Sequence, residues 1–300
     1  MRIMVIIFFL LMIAGVDGAV AQETSDDCAP RIAFASPEDG DMEIYTMRID
    51  GTDLQQLTIN DEDYDDFPTW SPDGTQIAYT HGFRLFIMDA DGSHSEEVPI
   101  DHSVRYPAWS PDGHYIVFED NTRIVIVDLT TFETNIISET ELRGQYNSSP
   151  AWSPDGTRIV YTSSGDREPQ LALFLPRLDF YIVNIDGSNR TRVPIGDFGS
   201  VGVGNLNWLS DERIIYSSGD LYSSVSMIDL TDNSIIQLTD YLTSIFYGPV
   251  VAPNEQQMLI FDRGQLGITD LTVSEIQVIE NAPERIFHPA WQPQNDDSAC

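Results

Sequence analysis

The 300-residue chain contains no lysine; its 15 strongly basic residues are all arginine, set against 48 aspartates and glutamates. That absence excludes Schiff-base chemistry and any phosphate loop that needs a lysine. The formal net charge of −33 repels nucleic-acid backbones and anionic lipid surfaces, so neither is an expected partner. Cysteine is nearly missing as well, with Cys28 and Cys300 alone. Histidine is sparse, and His81, His94, His102, His114 and His288 show neither H-x-H nor H-E-x-x-H spacing, which leaves a zinc site without support. No G-x-S-x-G elbow occurs, because Phe198 stands where the first glycine would have to precede Ser200. Beyond residue 30 no long apolar pattern with a 3.6-residue period exists, which argues against a helical fold.

What is present begins with an export signal. Residues 1–21 pass from Arg2 through the apolar run IMVIIFFLLMIAGV to Ala19, Val20 and Ala21, the charge, core and small-residue order of a cleaved leader. This predicts a signal peptide over 1–21, a secreted or periplasmic mature chain starting at Gln22, and no transmembrane span after cleavage. In an oxidising compartment an even pair of thiols predicts a disulfide between Cys28 and Cys300. Residues 22–30 are then a short N-terminal segment and 295–300 a C-terminal tail, flanking one domain over 31–294.

That domain reads as all-β. Short β-branched and aromatic runs alternate with Gly, Asp, Asn and Pro, and three features recur at the 40- to 45-residue period of propeller blades. One is an aliphatic-to-aromatic triplet: IAF at 32, IAY at 77, IVF at 116, IVY at 159, IIY at 214 and LIF at 259. Another is a longer strand entering a polar turn, such as EIYTMRIDG and RLFIMDADG. The third is PTWSPDG or PAWSPDG around Trp70, Trp109 and Trp152, decayed around Trp208, at Val251 and around Trp291. Six copies of each predict a six-bladed β-propeller. Since the domain opens on an IAF strand and ends on a PAW strand, FHPAWQP should be the innermost strand of the first blade, closing the ring and removing its open edge.

The stretch IAF…EIYTMRIDG…LQQLT…FPTWSPDG resembles the WD40-like repeat of TolB-type six-bladed propellers, a group that also includes the propeller domains of prolyl-oligopeptidase-like enzymes. The resemblance spans residues 31 to about 294. It implies an architecture in which binding commonly occurs on one face or in the central tunnel. In the repeat itself the Trp is expected to fill the wedge between neighbouring sheets, and Pro-Asp-Gly to make a tight turn.

Blade topology puts the SPDG and DADG turns on one face and the irregular sequence on the other. There the loop NDEDYDDFP, residues 60–66 at its core, gathers Asp61, Asp63, Asp65 and Asp66, a density that a Ca²⁺ ion or an Arg-rich partner would relieve, although no EF-hand spacing is present. The insertion at 164–180 carries the apolar run with Leu171, Leu173, Phe174 and Leu175, a lid or a protein contact. Arg105 and His288 lie near the tunnel mouth by the same topology. With no catalytic set in view, the reading is an exported, monomeric, non-enzymatic scaffold that binds a protein or small molecule on its irregular face, without a cofactor. The alternative is a hydrolase or lyase that acts on a glycan or peptide in the tunnel through Asp65, Asp66 and His288.

Overall fold

The computed structural model describes residues 30–60, 63–138, 146–164, 178–193, 195, 206–210, 212–218, 224–239, 248–262 and 264–293. Cys28, Cys300 and residues 1–21, on which the disulfide and export expectations rest, lie outside them. Among the described residues there is no helix, and none long and apolar enough to cross a membrane.

Short strands of β-branched and aromatic residues pair in sequence order into sheets of four. The chain enters through β1 (Arg31–Ser36), β2 (Glu43–Arg48) and β3 (Gln55–Gln56). The second blade is β4 (Asp65–Trp70), β5 (Gln76–His81), β6 (Arg84–Asp89) and β7 (Glu96–Glu97). The third is β8 (Val104–Trp109), β9 (Tyr115–Asp120), β10 (Arg123–Asp128) and β11 (Thr134–Ile136). The fourth is β12 (Asn147–Trp152), β13 (Arg158–Ser163), β14 (Asp179–Asn184) and β15 (Thr191–Val193). The fifth is β16 (Asn207–Trp208), β17 (Arg213–Ser218), β18 (Ser224–Asp229) and β19 (Ile235–Gln237). The sixth is β20 (Val250–Val251), β21 (Gln257–Asp262), β22 (Gln265–Asp270) and β23 (Gln277–Val278). The last strand, β24 (Phe287–Trp291), returns to pair antiparallel with β1, Ile32 opposite Trp291 and Ala33 opposite Ala290. The six-bladed ring is therefore closed by the C-terminal strand completing the first blade, as the repeat phase requires.

Apolar burial is divided among six clusters, one at each junction between neighbouring blades. Trp291 packs between Leu259 and Phe261 of blade six and Ile32 and Phe34 of blade one. Trp70 lies between Ala33 and Ile44 of blade one and Ile77 and Met88 of blade two. Trp152 and Trp208 occupy the third-to-fourth and fourth-to-fifth junctions. These four rings are buried, and the indole of Trp152 donates to Ala108 O at 3.0 Å. Trp109 departs from the expectation: it is only partly buried at the second-to-third junction, where Leu85, Val104, Phe118 and Val125 already fill the wedge. At the fifth-to-sixth junction half-buried Val251 takes the tryptophan position, with Met227, Leu209 and Met258 supplying the bulk.

The turn motif works as its residues suggest. Asp155 Oδ1 accepts from Ser153 Oγ at 2.6 Å, Thr157 N at 3.0 Å and Thr157 Oγ1 at 2.8 Å. Those donors, the serine hydroxyl first, hold its carboxyl down at about 2. Gly156 follows at φ +69°, a conformation that costs glycine little. Asp73 with Gly74 and Asp112 with Gly113 repeat the arrangement.

Candidate functional site

The innermost strands of a propeller line its central hole, so whatever distorts them shapes the site. In four of them the residue before the conserved proline is left-handed: Phe67 at φ 53°, Tyr106 at 48°, Ser149 at 52° and His288 at 45°. At the corresponding place each ladder slips, between Asp66 and Thr69, Arg105 and Ala108, Ser148 and Ala151, and opposite Ala33 to Ala35. An extra residue thus bulges from each inner strand, and non-glycine residues held this way cost of order 1–3 kcal/mol apiece. The four bulged side chains line one cavity of about 240 Å³ at the tunnel, together with Pro68, Pro107, Pro150 and Pro289 and the rings of Trp70 and Trp291.

Three of them make an aromatic cluster. Phe67 lies 4.1 Å from His288 and 4.5 Å from Tyr106, centroid to centroid, and Tyr106 meets His288 edge to face at 5.8 Å. His288 Nδ1 is 2.7 Å from Asp66 Oδ1, which also accepts from the Phe67 N–H at 2.8 Å. Burial raises the Tyr106 phenol well above its ordinary value, with the nearby Glu119 carboxylate adding to it. Glu119 is itself fully buried and bound by Ser148 Oγ, and burial raises its carboxyl, while among the described residues its Oε1 finds no hydrogen-bond partner.

The acidic segment separates rather than converges. Asp63 is exposed, and its N–H donates to Asn60 Oδ1. Asp65 is buried, 2.7 Å from His81 Nδ1, and accepts from Asn60 Nδ2 at 3.0 Å. Asp66 turns to the tunnel through His288. Behind Asp65 sits Glu43, fully buried, with Oε2 accepting from Thr58 Oγ1 at 2.5 Å and Oε1 from Asn60 N at 2.7 Å. Burial pushes the Glu43 carboxyl up to about 7; the bonds from Thr58 and Asn60 oppose that rise and Asp65 adds to it. Among the described residues, Asp39, Asp41 and Glu43 bring carboxylate oxygens within 4.8 Å of one another, an oxygen set of the kind Ca²⁺ takes. Asp39 and Asp41 lie in the turn between β1 and β2 and Glu43 opens β2; no sequence motif signals the trio.

Arg105 does not line the cavity, although its charge opposes the burial that raises Tyr106 and Glu119, lowering the pKa of each. It stands one place earlier in its strand than His288 does, so it matches Asp66 and Phe287, and its exposed guanidinium lies over the Phe83 ring at 5.0 Å. His288 corresponds instead to Phe67, Tyr106 and Ser149. Asp61, Leu171, Leu173, Phe174 and Leu175 lie outside the described residues.

The sequence model for the TolB beta propeller domain matches residues 19–199. No curated protein sequence matches the chain. Among solved structures, TolB from Acinetobacter baumannii superposes with a TM-score of 0.69 at 20% identity, over 89% of this chain and 67% of that one. A chain of a nidogen/laminin complex gives 0.70 at 10% identity, over 89% and 100%. An oligogalacturonate lyase in complex with manganese gives 0.59 at 16% identity, over 82% and 73%. At these identities the likeness is one of fold.

Proposed function

The chain belongs to the TolB beta propeller domain family, with more than half of its 300 residues matched, and from that premise we propose an exported, non-enzymatic binding propeller whose ligand seats at the tunnel mouth. The observation that carries this reading is the row of strained bulges. Folding energy is spent at four equivalent places to hold Phe67, Tyr106, Ser149 and His288 around one cavity, and backbone strain of this kind collects at functional sites. The insertion at 164–180 is proposed as a second contact, and exposed Asp63 as its acidic complement.

The test is capture from an extracytoplasmic fraction by three folded proteins: the intact chain, a 166–177 deletion and a Ser149→Trp variant that fills the cavity. Capture by the intact chain and its loss in Ser149→Trp are expected. Undiminished capture by Ser149→Trp would sink the tunnel as the site, and undiminished capture by the deletion would remove the insertion from it.

A second reading rests on the 2.7 Å contact between Asp66 and His288. A carboxylate that orients an imidazole at a cavity is a general-base arrangement, which fits a hydrolase or lyase acting on a glycan or peptide. Turnover of such a substrate that is lost in both Asp66→Asn and His288→Ala, with folding intact, would favour this reading over the scaffold.

A further inference from the structure

The cavity wall is built from strand edges, and the register fixes which main-chain groups reach it. Ser71 N–H donates to Gln76 O at 2.9 Å, Ser110 N–H to Tyr115 O at 2.9 Å, Ser153 N–H to Arg158 O at 2.8 Å and Gln292 N–H to Arg31 O at 2.9 Å. Strand residues alternate, so the residue two places earlier in each strand also joins the ladder, while the tryptophan between them and the preceding proline turn their main-chain groups to the free inner edge. Blade six makes that orientation visible. Asn207 of blade five reaches across to Pro249 O at 2.8 Å and Val251 N at 2.9 Å, the same two places in register.

Proline has a carbonyl and no N–H. At Pro68, Pro107, Pro150 and Pro289 the free edge has therefore lost its donor and kept its acceptor, so each of these blades offers the tunnel two carbonyls for one N–H. A wall of carbonyl dipoles is negative toward the axis, and it sits in a chain of net charge −33. No arginine lines the cavity among the described residues. His288 does not offset this, because its partner Asp66 leaves the pair neutral at most. The Phe67 and Tyr106 rings stand together at the mouth, where a cation is attracted to aromatic faces.

We propose that the tunnel mouth binds an organic cation rich in N–H donors, a guanidinium or primary ammonium group, on the prolyl carbonyls and the Phe67 and Tyr106 rings, beside the Asp66 carboxylate that His288 holds. This rests on the tunnel-mouth reading above and names its ligand class. At about 240 Å³ the cavity takes such a headgroup with part of its stem, whereas a bare metal ion would leave most of it unfilled. The group comes free in solution or on an arginine or lysine of a partner protein.

Trp70 and Trp291 line the cavity and report occupancy by their fluorescence. The intact protein is titrated with Nα-acetyl-arginine methyl ester, with Nα-acetyl-citrulline methyl ester as the neutral near-isostere, and with a tripeptide bearing a central arginine. The acetylated arginine ester should saturate at least tenfold more tightly than the acetylated citrulline ester, weaken as salt is raised, and fail to bind Ser149→Arg, which puts a fixed cation in the cavity. A tighter tripeptide assigns the source to a partner chain, and a tighter free ester to a small molecule. Equal affinity for the charged and neutral esters, binding that survives Ser149→Arg in a folded protein, or no saturation by either cation up to millimolar concentration would overturn the proposal. In each of those cases capture that still depends on the cavity leaves the binding-propeller reading standing, so the two fail separately.

Discussion

Replacing Trp291 by alanine attacks the ring where its two chain ends meet. The indole is 8% exposed and lies between blades six and one, on the strand that supplies the inner edge of the first blade. Emptying a site of that kind costs about 3–5 kcal/mol. At roughly 2–4 °C per kcal/mol for a domain of this size class, the melting temperature should fall by about 6–20 °C. Trp109→Ala is the internal control, since its ring is only partly buried and its wedge is filled by aliphatic neighbours; its loss should come below that range. Both are read by urea unfolding, followed by far-ultraviolet circular dichroism and by fluorescence, with coincident curves required before a free energy is taken. Equal losses for the two variants, or a Trp291→Ala cost under about 1 kcal/mol, would refute the idea that closure depends on this wedge.

Glu43 supplies a pH test. Its carboxyl titrates near 4.5 when unperturbed and at about 7 in the fold, so across that window the folded chain holds a proton that the unfolded chain has released, and stability falls as pH rises through it. Glu43→Gln should melt level with the parent below pH 4.5, climb above it between pH 4.5 and 7, and keep a constant lead beyond that; a difference that does not change with pH across the window would remove Glu43 as the cause. Gly51 and Gly264 separate a clash from a backbone preference. Both are left-handed, at φ +83° and +82°, but a Cβ on Gly51 would meet Glu280 O at 2.2 Å whereas one on Gly264 meets nothing within 4 Å. Gly264→Ala should cost about 1–2 kcal/mol and Gly51→Ala clearly more, measured by the same unfolding; equal costs would mean the turn around residue 51 simply moves aside.

The repeat was legible because its signals are local. Trp, Pro, Asp and Gly each solve a geometric problem within seven residues, and six recurrences with a split first blade dictate closure. The tunnel chemistry was not legible for an equally local reason. A residue before proline is ordinarily pushed to extended backbone, and Phe67, Tyr106, Ser149 and His288 do the reverse, so no preference announces the bulge that aims them inward. That bulge also explains the displaced Arg105, which is one register place from where sequence spacing alone would align it. The pairing of Asp65 with His81 crosses from β4 to β5 and leaves no spaced motif in the chain.

The division of apolar burial into six wedges bears on how this chain can drift over generations. A single central core couples every interior position to every other, so one poor substitution is felt throughout. Here each sector answers chiefly to its two neighbours, and a sector that loses its ring, as the one around Val251 has, can be refilled by Met227, Leu209 and Met258 without retuning the rest. Divergence can then proceed blade by blade, fast in some and slow in others, provided the seam between first and last strand stays shut.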